Sequence, residues 1–438
     1  MKLETAKSFL LTILVGVSLL LTFGLWSSQP NSAQLNNAQL LNEVDLGGED
    51  ESKRSLIEPR KIIFHSNESH YGFENPKDRK KLYEDMQSWV LYNFTTGGAT
   101  NRSSSNQTVE VIFPDAIPME VVSILFTLNE EVELPNWSFE QVYFEFSQET
   151  QSLEVQFISI DGRRQANAVI NDSVNYHQLW SIMSSLDGLT EYTLLGKSES
   201  AIYIPLEKPN LKRHSIPVNS IDPRLMVDAL FANPSVVSLS NSPNRGGPYY
   251  TDSQRELSVN ENRTSLEYFN PVSDDFEPMS TVNLLDRSIQ SINDHKGWLE
   301  EYNLLNIEPA LNKIEYQMFY EGFPVFNNSG LSTMTQEWRN QELFRYQRPL
   351  FRLSNSAGSG SETVDVSSGG DIAYNLRDEF DNDSGVEHIR DIELGYRLTY
   401  QSNDLNDYIT LDPAWYMNYN GTWQEIKFEE FSPVEGRD

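Results

Sequence analysis

The side chains best equipped for chemistry are few, and their spacing does not assemble a site. Asp294 and His295 would make an acid–base pair if they faced each other, but neighbours on a helix point about 100° apart. The run 293–298 (Asn-Asp-His-Lys-Gly-Trp) therefore reads as a helix end, with Gly297 as its cap and Trp298 packed. His65 and His70 are five residues apart, outside the spacing by which one helix offers two histidines to zinc. Glu387-His388 has no second histidine nearby. Residues 381–385 begin like a calcium loop, but Gly385 stands at a ligand position and Ile392 where the bidentate glutamate belongs. The Gly/Ser run 357–361 lacks the lysine of a phosphate loop, and Gly369-Gly370 stands without a dinucleotide fingerprint. The chain has no cysteine, which excludes disulfides, thiolate metal sites and thiol nucleophiles. The expectation is a protein without catalytic, cofactor-binding or metal-ligating residues and without a cofactor.

Charge narrows the partners. With 64 acidic against 33 basic residues and a net charge of −31, the chain repels phosphate backbones, so nucleic acid is excluded as a partner. So many carboxylates leave one alternative open, a glycosidase-type pair in a polar cleft. Aromatic residues make up 11% of the 438, enough to fill packed cores rather than a disordered chain.

The elements that would position any site begin with a membrane segment. Lys2 and Lys7 precede an uncharged stretch over residues 9–26, from Phe9 to Trp26, whose roughly 18 residues span about 27 Å as a helix. Acidic residues follow it, so the positive-inside rule places residues 1–8 in the cytoplasm and the bulk of the chain outside the cell membrane. A cleaved signal peptide is the alternative, but no small-x-small site directly follows the apolar run. Thr12, Gly16, Leu20 and Gly24 lie on one four-residue row. In lipid, small residues let backbones approach, which makes this row the expected contact face for partner helices.

Residues 27–55 are polar and acidic without apolar periodicity and read as a tether. Beyond them the pattern predicts an α+β fold with mainly antiparallel sheets in three domains: 56–208, 219–308 and 309–438. In the first, Asn75-Pro76 caps a helix carrying Leu82, Met86, Trp89 and Val90. Strands over 142–146, 153–160 and 163–170 form a meander with Asp161-Gly162 as a hairpin turn. Residues 209–217, with prolines at both ends, read as a linker. The central domain holds helices over 225–231 and 284–295. The last holds strands over 314–320, 343–353, 392–400, 408–411 and 414–419.

Several short runs resemble one family. They are 10–14 (Leu-Leu-Thr-Ile-Leu), 20–30, 230–234 (Leu-Phe-Ala-Asn-Pro), 250–252, 293–298, 319–327, 346–349 (Tyr-Gln-Arg-Pro), 394–396 and 413–415. Their order, together with the anchor, is similar to the YycH (WalH) family. The resemblance implies a non-enzymatic regulator of the WalK/WalR (YycG/YycF) two-component system, which governs cell-wall metabolism in Gram-positive bacteria. It implies a YycI (WalI)-like protein and a WalK (YycG)-like sensor histidine kinase as partners, with contacts between transmembrane helices and a three-domain ectodomain. The alternative is a membrane-anchored extracytoplasmic enzyme or binding protein acting on envelope polymers.

Overall fold

The computed structural model describes residues 44–99, 107–196, 202–242, 247–271, 276–354, 360–380, 388–402 and 407–427. The expected anchor at 9–26, with Thr12, Gly16, Leu20 and Gly24, lies outside the described residues, as does most of the expected tether. Among the described residues no helix is long and apolar enough to cross a membrane.

Residues 45–438 form one compact unit, built on two sheets that are antiparallel except at two short pairings. The first sheet takes its strands from residues 61–205 and runs from β10 (Ile202–Pro205) through β9 (Leu189–Leu195), β2 (Ser69–Phe73), β1 (Lys61–Ser66) and β4 (Gln107–Pro118). It continues through β6 (Ser138–Ser147), β7 (Ser152–Ser159) and β8 (Arg164–Ile170) to β3 (Val90–Gly98) and β5 (Thr127–Leu128). The expected meander is thus present, and Gly162, at φ +66°, makes its turn. Phe113, Phe139, Phe157 and Phe126 form a chain of edge-to-face contacts beneath the sheet.

Asn75 does cap a helix that has Pro76 in its first turn, but the helix ends at Met86. The Ser88 hydroxyl donates to the Asp85 carbonyl, and the β-branched Val90 opens a strand. Trp89 still reaches the core, edge-on to Phe144.

The second sheet gathers strands from residues 212–425. The expected linker 209–217 lies largely within one of them, β11 (Lys212–Ser220), which pairs with β24 (Asp407–Tyr419). Pro217 is tolerated because the strand uses its carbonyl, which accepts from Ser354 N at 2.9 Å. The two strands expected at 408–411 and 414–419 are joined in β24, and the one expected at 343–353 divides into Glu342–Pro349 and Phe351–Leu353. A boundary at 308/309 separates hydrogen-bonded neighbours: β16 (Glu301–Glu308) pairs with β17 (Lys313–Tyr320), and β15 (Ser265–Phe269) pairs with β20 (Glu342–Pro349).

The two sheets share a core. Leu195, Ile202 and Ile204 of the first pack with Ile389, Ile392 and Trp415 of the second around the helix Gly369–Glu379. Gly369 is needed for space there, since a Cβ would lie 1.9 Å from the Pro205 carbonyl oxygen. That close approach accounts for the first glycine of the pair.

Candidate functional site

One seat on the body receives the start of the folded unit. Residues 45–57 form a strap against the run 293–298, which follows the helix Thr281–Asn293. Leu46 N donates to the His295 carbonyl at 3.1 Å, Gly48 N to Lys296 at 3.0 Å and Glu49 N to Trp298 at 3.3 Å. Asn293 reads the strap's backbone in both directions, accepting from Glu51 N at 3.0 Å and donating to Glu51 O at 2.9 Å. Its Oδ1 also accepts from the Trp298 indole at 2.7 Å. Lys296 pairs with Asp50, and Lys53 with Asp286. Gly47 turns the strap at φ +87°, and at Gly48 a Cβ would lie 2.2 Å from the Trp298 carbonyl oxygen. A Ser52/Ser55 capping box then starts the short helix Lys53–Leu56, and Leu56 and Ile57 are fully buried. The reading of 27–55 as a free tether is therefore corrected from Asp45 onward.

What makes this seat rigid lies beneath it. Arg348 is almost wholly buried, donating to the Gly297 carbonyl at 2.9 Å, the Tyr346 hydroxyl at 3.3 Å and His295 Nε2 at 3.3 Å. Burial first, then the Arg348 charge, pushes His295 down to about 3, so the ring is neutral and accepts the guanidinium proton. Asp294 instead lies at the surface, bonded to Gln290, so the two adjacent residues do not form an acid–base pair. The helix end is as expected, but Lys296, at φ +50°, supplies the left-handed residue. Gly297 is required for room: a Cβ there would meet His295 and Arg348 within 2.7 Å.

Burial pushes Glu300, next to this seat, up to about 7, against the opposing Leu353 N–H and Arg352 charge. An unfolded carboxyl loses its proton well below that, so the folded state binds the extra proton only in between. Stability from this group is complete at low pH and is lost as pH rises through about 7. Glu300→Gln is expected to become progressively more stable relative to the parent between pH 5 and pH 8, as read by urea midpoints. An unchanging difference would contradict it.

A cleft of about 560 Å³ opens between the two sheets, lined by Arg60, Lys61, Asp115, Glu140, Asp391 and Trp423 among others. Its charges mostly tie the sheets together. Lys61 pairs with Asp391 and donates to the Ile392 carbonyl, and Arg60 lies 3.5 Å from Glu393 and over the Trp423 ring. Asp115 accepts from Ile307 N at 3.0 Å and from Ala116 N at 2.8 Å. Burial raises Asp115 and Glu140 above the usual carboxylate range. Two of the cleft's acids are thus engaged in structure, which argues against a free catalytic pair built on them.

Among the described residues no group of three or more His, Asp or Glu side chains is arranged to hold a metal. Residues 381–387 and 355–359 lie outside the described residues, and His388 is exposed against the Tyr419 ring. His65 and His70, which spacing set apart, face each other across the hairpin of β1 and β2.

Family models describe two matching parts: "YycH protein, N-terminal domain" over residues 4–188 and "YycH protein, C-terminal domain" over residues 199–431. The chain is 23% identical to the "Two-component system WalR/WalK regulatory protein YycH" of Bacillus subtilis, over 96% of each sequence. The crystal structure of YycH from Bacillus subtilis has a similar fold, at a TM-score of 0.68 and 18% identity over 88% of this chain and 99% of that one. This chain belongs to the YycH family.

Proposed function

We propose that this protein is a non-enzymatic regulator of a WalK (YycG)-like sensor histidine kinase, anchored in the cell membrane by the helix 9–26 with its N-terminus in the cytoplasm. It acts there with a YycI (WalI)-like protein to control signalling for cell-wall metabolism. The relative named as a WalR/WalK regulatory protein supports the pathway. The observation that carries the mechanism is the strap: three backbone hydrogen bonds fasten residues 46–49 to the body. Fixed this way, the start of the folded unit has a defined place on the body. Regulation then needs only that helix and ectodomain bind one kinase conformation better than another, which biases the balance of its activities.

The row Thr12, Gly16, Leu20 and Gly24 is the proposed contact face within the bilayer. Replacing Thr12, Gly16 and Gly24 together by leucine is expected to abolish co-purification of the kinase from detergent extracts of cells that make all three proteins. Membrane insertion is checked by protease protection of residues 45–438. Undiminished recovery of the kinase would count against this face.

A further inference from the structure

We propose that His65 and His70 form a two-imidazole binding site for a divalent copper ion. The two residues are cross-strand partners in the antiparallel hairpin of β1 and β2, so their side chains leave the same face of the sheet as neighbours. Their Nδ1 atoms stand 2.8 Å apart and share a hydrogen bond, whose proton a bound metal would displace. Behind them, His65 Nε2 lies 2.9 Å from Glu110 Oε2, while Tyr143 donates to Glu110 Oε1 at 2.8 Å. The Tyr203 ring packs against both imidazoles.

Glu110 is 2% exposed and, as a carboxylate, only accepts. It therefore holds the His65 proton on Nε2 and turns the Nδ1 lone pair toward His70. A carboxylate behind a ligating histidine is the arrangement that fixes ring orientation and raises ligand basicity at metal sites.

Two neutral imidazole nitrogens suit a divalent first-row metal, and Cu²⁺ leads the affinity series for such donors. Water would complete the coordination, since two protein ligands converge. The buried Glu110 carboxylate balances part of the added charge.

The test is a titration of untagged full-length protein in detergent micelles with CuCl2, followed by electron paramagnetic resonance. One equivalent is expected to bind with hyperfine structure from two nitrogens, and His70→Ala is expected to lose that signal. Glu110→Gln, with its fold checked by near-UV circular dichroism, is expected to weaken binding by about tenfold to a hundredfold. Zinc should compete poorly. Absence of a two-nitrogen signal in the parent, or an equal signal in His70→Ala, would overturn the proposal and leave the pair sharing only a proton.

Discussion

Replacing Arg348 with alanine is expected to cost about 3–5 kcal/mol of stability, measured as a shift in the urea unfolding curve. The side chain is enclosed, and its removal leaves a cavity and a Gly297 carbonyl short of a donor, with the Tyr346 hydroxyl and His295 Nε2 left to each other at 3.5 Å. Arg348→Met fills most of that volume and no longer buries a charge, so it should cost clearly less than alanine. The same pair tests the electrostatics. His295 is held neutral in the fold, whereas an unfolded histidine takes up a proton near its ordinary value. Its contribution is fully present above about 6.5 and is lost as pH falls toward about 3. Without the Arg348 charge, His295 in the methionine variant should titrate at higher pH. An alanine variant as stable as the parent would remove Arg348 from its place as the support of the seat.

The second large effect is expected at Gly48. A valine Cβ there would meet the Trp298 carbonyl oxygen at 2.2 Å and the Lys296 carbonyl oxygen at 2.6 Å. Both are backbone atoms, so no rotamer change relieves the clash and the strap must lift. The three backbone hydrogen bonds and the Asn293 clamp on Glu51 are then lost. At about 1 kcal/mol net for each bond, release costs on the order of 3–5 kcal/mol locally. In hydrogen exchange, the amides of Leu46, Gly48 and Glu49 should lose at least about a hundredfold of protection. Those of β17, which is tied to the helix Thr281–Asn293 by the Tyr316–Ser288 hydrogen bond, should keep theirs. Unchanged protection of the strap amides would contradict the seat as described.

These two sites show what the sequence could and could not reveal. A helix end near 295, observed at Asn293, and the packing of Trp298 were legible, because a glycine and an aromatic after an apolar helical period leave few alternatives. The strap was not, because it docks through backbone groups that every residue carries. The only trace lay in Leu46 and the pair Gly47-Gly48 within an acidic run. The linker reading missed the strand over 212–217, because proline blocks a strand only where its missing N–H is needed, and Pro217 is used through its carbonyl. His65 and His70 were judged by helical spacing, whereas the turn at Asn67, with φ +58°, sets them opposite each other. Arg348 lies in the run 346–349 that resembles the family, but the run by itself gave it no role. Its role depends on contacts some 51 residues away in sequence, which local patterns do not encode.

The most direct test of regulation through the anchor is transcription of WalR-dependent wall genes in cells whose chromosomal copy carries an unrelated membrane helix in place of residues 9–26. Surface display of the ectodomain is verified in parallel. The proposed mechanism predicts that transcription shifts to the level of a deletion strain although the ectodomain is intact and displayed. Transcription that stays at the parental level, while deletion alone changes it, would contradict a regulatory contact within the membrane and move control to the ectodomain.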